Sequence, residues 1–123
     1  MTLEQQVVSL DLAKKLKELG VKQESLFCWY KHKKDGWTLV WPWAKGYEYI
    51  SAFTVAELGE ILPDEVSTNK YTEPDLKTFM CKLHAEGDWQ KYIEITEDST
   101  EADARARMLI YLLENNLYDP TTN

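Results

Sequence analysis

Cysteine is nearly absent from this chain: Cys28 and Cys81 are the only two among 123 residues. Two thiols cannot build the multi-bridge framework on which small secreted domains rely, so both are expected to be reduced. Glycine is sparse and scattered, with five in all, which excludes the clustered glycines of a phosphate-cradling loop. Positive charge is in deficit, since 14 Lys and Arg face 21 Asp and Glu for a formal charge of −7. A surface that tracks phosphates needs clustered Lys and Arg, so nucleic acid is not an expected partner, whereas basic partners are favoured. No apolar run approaches the roughly 18 residues of a membrane span. The opening residues lack the basic start, apolar stretch and small-residue cleavage site of a secretory leader. These absences together predict a soluble protein of the cytoplasm.

Apolar and aromatic residues are plentiful, at 44% and 12%. That is enough for the core of one ordinary domain, expected over residues 1–118, with 119–123 as a flexible tail. Thr2 with Gln5 reads as a capping box, and Val8, Leu12, Leu16 and Leu19 recur at helical spacing up to Gly20, predicting a first helix. The stretch SLFCWYKHKKDGWTLVWPW, residues 25–43, then alternates as two strands around Asp35-Gly36, a pair suited to a tight two-residue turn. That turn places Lys34 opposite Trp37, His32 opposite Leu39, Tyr30 opposite Trp41 and Cys28 opposite Trp43. Trp37 then shares a face with Tyr30, and Trp29 lies on the reverse.

A third strand is expected over residues 47–53. Thr54 with Glu57 forms a second capping box for a short helix that ends before Pro63. Residues 63–71 read as a polar loop. Thr72 and Pro74 open a third helix, with Leu76, Phe79, Met80 and Leu83 on one stripe and Gly87 closing it. A last strand follows over residues 89–96. The final helix starts at Ser99 or Thr100 and carries a stripe of Ala102, Ala106, Leu109, Ile110, Leu113 and Leu117.

The element order is therefore α-β-β-β-α-α-β-α. The expected fold class is α+β, a single-domain α/β/α sandwich on a mainly antiparallel four-stranded sheet. A sheet of four strands is about 15–20 Å wide and one face holds about two helices, so four helices must occupy both faces. A hairpin that is apolar on both sides agrees with this arrangement, and most of its rings are then core. The candidates for a binding surface are Trp37, at the hairpin tip, and Trp43, Lys45 and Tyr47, in the loop that leaves the sheet. Trp43 either plugs the edge of the core or offers its ring to a partner.

Three stretches carry a family resemblance: LAKKLKELGVKQESLFCWY, ISAFTVAELGEILP and TEADARARMLIYLLENNL. They resemble motifs of small proteins encoded by bacteriophages, prophages and the bacteria that carry them. The closing strand with its tryptophan, followed by a helix containing Ala and Arg, resembles phage proteins described as α/β/α sandwiches. The resemblance implies an origin in a mobile element, a compact fold and a place in the bacterial cytoplasm, and it brings no activity with it.

Chemistry is weakly signalled. Cys28, His32, Cys81 and His84 have the letters of a zinc site, and Cys81 and His84 would share a helical face. However, four residues of strand hold Cys28 and His32 about 13 Å apart, too far for one ion, so no metal or other cofactor is expected. A Cys-His pair would need helix and strand to meet, and no orienting third group is evident. Glu94, Glu97, Asp98, Glu101 and Asp103 surround a helix start, where carboxylates oppose the macrodipole. Arg105 and Arg107 face different directions. The expectation is a protein without catalytic residues that docks on a host or phage protein. The alternative is a binder of a small planar ligand, a nucleotide or a sugar, stacked on the aromatic hairpin end.

Overall fold

The structure is a computed structural model and describes residues 2–32, 36–40, 49–73 and 76–118. Among them the chain forms four helices and two three-stranded antiparallel sheets. The order is α1 (Leu3–Gln6), α2 (Leu10–Glu18), β1 (Cys28–His32), β2 (Gly36–Val40), β3 (Tyr49–Ser51), α3 (Val55–Ile61), β4 (Val66–Glu73), β5 (Leu76–Ala85), β6 (Asp88–Asp98) and α4 (Glu101–Glu114). The α+β class is as expected, but the order is α-α-β-β-β-α-β-β-β-α in place of α-β-β-β-α-α-β-α, and the single four-stranded sheet expected at the centre of an α/β/α sandwich is replaced by β2-β1-β3 and β4-β5-β6.

The largest correction falls on residues 63–87, where a loop and a third helix were expected and a β-hairpin stands. Leu76, Phe79, Met80 and Leu83 fit a helical stripe, but Phe79, Cys81 and Leu83 equally fit a period of two. The second pattern wins because Cys81 and Leu83 are buried in the core with Phe79 packed against them, while Met80, Lys82 and His84 alternate onto the other face of β5. Gly87, expected to cap a helix, is a turn residue: Ala85 pairs with Asp88, and Gly87 has φ +76°, a left-handed conformation that glycine adopts without steric cost.

The first helix is shorter than its pattern. Val7 forms a bridge with Thr54, the Val8 N–H donates to the Phe53 carbonyl at 2.9 Å, and the Val8 carbonyl accepts from Trp29 Nε1 at 2.9 Å. Tertiary partners for these backbone groups split the segment into α1 and α2, and two adjacent β-branched residues mark the break.

The hairpin at residues 28–40 forms, with a different register. Lys31 pairs with Trp37, Trp29 with Leu39 and Tyr30 with Thr38, and the last pair, His32 with Gly36, leaves residues 33–35 between the strands. The expected partners Lys34, Trp41 and Trp43 lie outside the described residues. The shift is odd, so it exchanges faces. Trp29 and Trp37 come to one side, where both pack against the core; the two-residue turn would have separated them. Gly36, the first residue of β2, has φ +74°, a left-handed conformation that favours glycine.

The last helix keeps Ala102, Ala106, Leu109 and Leu113 of its expected stripe and is buried more widely around them, but Leu117 lies beyond its end and is exposed. The Thr100 hydroxyl caps it by accepting from the Asp103 N–H, and Thr54 with Glu57 closes its box around α3. Ala102, Ala104, Ala106, Met108, Leu109, Leu112 and Leu113 are all buried, while Ile110 is half-exposed. Two stripes are covered because α4 touches α1, α2 and α3 as well as all three strands of the second sheet. The Thr96 hydroxyl donates to the Ala104 carbonyl at 2.9 Å and ties β6 to it. The expected tail, residues 119–123, lies outside the described residues.

At the start of α4, Asp103 Oδ1 accepts the Ser9 N–H at 2.8 Å, across 94 residues of sequence. Burial pushes its carboxyl above the ordinary value, opposed by the bond from Ser9. A raised carboxyl favours the folded state fully only below the unfolded pKa, and the advantage is lost as pH rises through the folded value. Asp103→Asn keeps an acceptor for Ser9 and sheds the charge, so at neutral pH it should match or exceed the parent in stability. The parent should gain on it as pH falls through the carboxylate range. Asp103→Ala, which orphans the Ser9 N–H, should cost about 1–3 kcal/mol. Urea melts of the three proteins at pH 7 and pH 4 check the order.

Candidate functional site

Of the four residues expected to form a binding surface, Trp37 alone is described. It is half-buried against the core and lies under the Lys14 ammonium, 5.2 Å from the ring centroid. Trp43, Lys45 and Tyr47 lie outside the described residues. Cys28 and Cys81 are free and buried, on different sheets. Cys81 and His84 are strand neighbours and not helical ones, so they face opposite ways: Cys81 enters the core, where burial pushes its thiol up to about 11, and His84 turns to the outer side of the second sheet. Among the described residues no three His, Cys, Asp or Glu side chains converge as metal ligands. Arg107 reaches back to Asp98 at 2.7 Å, whereas Arg105 is spent inside the fold on Thr68, Val55 and Glu101.

The outer side of β4-β5-β6 gathers chemistry that the linear sequence hides. Ser67 is opposite Lys82 in the β4–β5 register, and its Oγ lies 2.6 Å from His84 Nε2. His84 Nδ1 is 3.0 Å from the Trp89 carbonyl oxygen. A carbonyl only accepts, so Nδ1 carries the proton, and in the neutral ring Nε2 is the acceptor for the Ser67 hydroxyl. The Trp89 indole covers the imidazole at 4.4 Å between centroids, Tyr92 meets it edge-on at 5.0 Å, and the Lys82 ammonium lies 4.9 Å from the Tyr92 ring centroid. His84 is consequently buried, at 6% exposure, while Trp89 is 62% exposed.

Irregular pairing builds this arrangement. Leu83 pairs with Glu94, His84 with Tyr92 and Ala85 with Asp88, so β6 carries extra residues on both sides of Tyr92. Bulges re-aim side chains and are frequent beside functional sites; here they carry the Trp89 carbonyl to His84 Nδ1. Ser67 and His84 are not legible as a pair in the sequence, where one falls in a polar, loop-like stretch and the other on a helical stripe. The signal that reveals them is the alternation of residues 79–84 together with Glu86-Gly87 as a turn.

The same strand holds the main apolar exposure. Eight large apolar side chains are exposed among the described residues, and four of them, Trp89, Tyr92, Ile93 and Ile95, fall within seven consecutive positions of β6. β6 is an edge strand, and its Ile95 N–H is taken by the Glu94 carboxylate at 2.9 Å. That amide is spent on its own strand's side chain. A groove of about 440 Å³ runs beside the strand, where Thr96 and Glu97 face Leu12, Ile110 and Tyr111.

The chain was compared with protein-family models, with curated proteins and with solved structures, and it matches none of them. No helix of the described residues is long and apolar enough to cross a membrane.

Proposed function

We propose that the protein is an accessory factor of a phage or other mobile element that acts in the host cytoplasm by binding another protein through the free edge of β6. The observation that carries this reading is the clustering of Trp89, Tyr92, Ile93 and Ile95 on one edge strand. Natural edge strands are normally short, charged or covered, because an uncovered one is a template for another strand. The occupant that fits is an extended segment in which apolar and basic side chains alternate. Its backbone would replace the Glu94 carboxylate at the Ile95 amide, its apolar groups would meet Ile93 and Ile95 or enter the groove at Ile110, and its basic groups would meet Glu94 and Glu97. The net charge of −7 favours such a partner at long range.

A photocrosslinking residue in place of Ile95 tests this inside phage-infected cells. The expected crosslink is to one basic, extended segment of a host or phage protein. Combining the probe with Glu94→Lys and Glu97→Lys should abolish the crosslink and leave the melting temperature nearly unchanged. Crosslinking no stronger than from Glu18 on α2, or insensitive to charge reversal, rejects the reading.

A further inference from the structure

We infer that Ser67 and His84 form a nucleophile–base pair able to react with small activated esters, an activity separate from protein binding. Ser67 Oγ is 2.6 Å from His84 Nε2, and the Trp89 carbonyl holds the imidazole at Nδ1 in the tautomer that leaves Nε2 free to accept a proton. A nucleophile within hydrogen-bond reach of a base, with that base oriented by a third group, is the arrangement that activates a hydroxyl. The exposures agree with these roles: Ser67 is half-exposed and can be reached by substrate, while the base is buried beneath Trp89 and Tyr92. Lys82, opposite Ser67 on the same face, is the cation on hand to offset the charge that develops on a carbonyl oxygen. The pairing irregularities on either side of His84 are what bring the three groups into line.

The substrate class is an ester with a small acyl group and an apolar or aromatic alcohol, which the exposed Trp89 ring can support. Ser67 Oγ adds to the ester carbonyl as its proton passes to His84 Nε2. The bond between the carbonyl carbon and the alcohol oxygen then breaks, and the alcohol departs with that proton. Water, giving a proton to Nε2, releases the acyl group as a carboxylic acid and restores the Ser67 hydroxyl.

A fluorophosphonate probe followed by peptide mapping tests the pair on the whole chain, with p-nitrophenyl acetate hydrolysis as the second readout. The expected result is a single phosphonyl adduct on Ser67, no adduct in Ser67→Ala, and hydrolysis above that of Ser67→Ala. His84→Gln should slow labelling by about 100-fold or more, the usual scale for a general base. If His84→Gln fails to fold, the parent unfolded in urea takes its place, and its Ser67 should escape labelling because the alignment of Ser67 with His84 exists only in the fold. An unlabelled parent, an adduct elsewhere, or labelling of Ser67 that is unaffected by His84→Gln or equally fast in the unfolded chain overturns the inference. None of these outcomes touches the crosslink at position 95, so the two proposals fail independently.

Discussion

Leu109→Ala should lower the unfolding free energy by about 2–5 kcal/mol, a large share of what a domain of this size possesses. Leu109 is fully buried on α4, the helix that touches every other helix and the whole second sheet. Truncation removes the transfer energy of its methyl groups and leaves a cavity between elements held on several sides. Such a site collapses poorly, so the upper part of the range is expected. Ile110→Ala, one position on and half-exposed, should cost clearly less. Denaturant melts of both variants check the difference. Equal losses would mean that the helix is rotated from the orientation described.

Gly59→Ala carries the second large effect, and its sign depends on a residue 46 positions away. Gly59 lies within α3, where alanine should stabilise by about 1 kcal/mol through helix propensity. However, a Cβ there would press on Arg105 Nη1 well inside van der Waals contact. The end of an arginine normally swings aside, but this guanidinium is pinned: Nη1 donates to the Val55 carbonyl at 3.1 Å, Nε to Thr68 Oγ1 at 3.1 Å, and Nη2 faces Glu101 Oε1 at 3.5 Å. Moving it breaks the Nη1 bond to the Val55 carbonyl, leaves that partly buried donor without its partner, and weakens an ion pair that is mostly screened from water. Gly59→Ala should therefore cost about 1–3 kcal/mol in the parent. In an Arg105→Ala background, itself expected to lose about 2–4 kcal/mol through the same broken bonds, the added methyl should be neutral or stabilising. The double-mutant cycle measures this reversal directly, and additive effects would show that Arg105 moves away freely.

The same contact gives part of the TEADARA stretch a physical meaning. Asp103 takes the Ser9 amide and Arg105 takes Val55 and Thr68, so one turn of α4 ties down the N-terminal segment, α3 and β4. Nothing local to that turn announces these partners, and its charged residues read by themselves as a solvated helix start.

Sequence alone determined the parts of this protein whose causes lie within a few residues of each other. The box of Thr54 and Glu57, the Thr100 cap and the apolar stripe of α4 were legible because capping bonds and i to i+4 packing are written in consecutive turns. The α+β class and the apolar character of the hairpin on both faces followed from the same short-range patterns. Tertiary structure decided what depended on distant partners. Residues 72–87 satisfied a helical and a strand period alike, and only the pairing of β5 with both β4 and β6 chose between them. The Asp35-Gly36 pair signalled a two-residue turn, but burial of Trp29 and Trp37 on one face outweighed that local preference and moved the register. Ser67 and His84, 17 positions apart, became a pair for the same reason: strand register is set by which face finds a core, and that is a property of the whole fold.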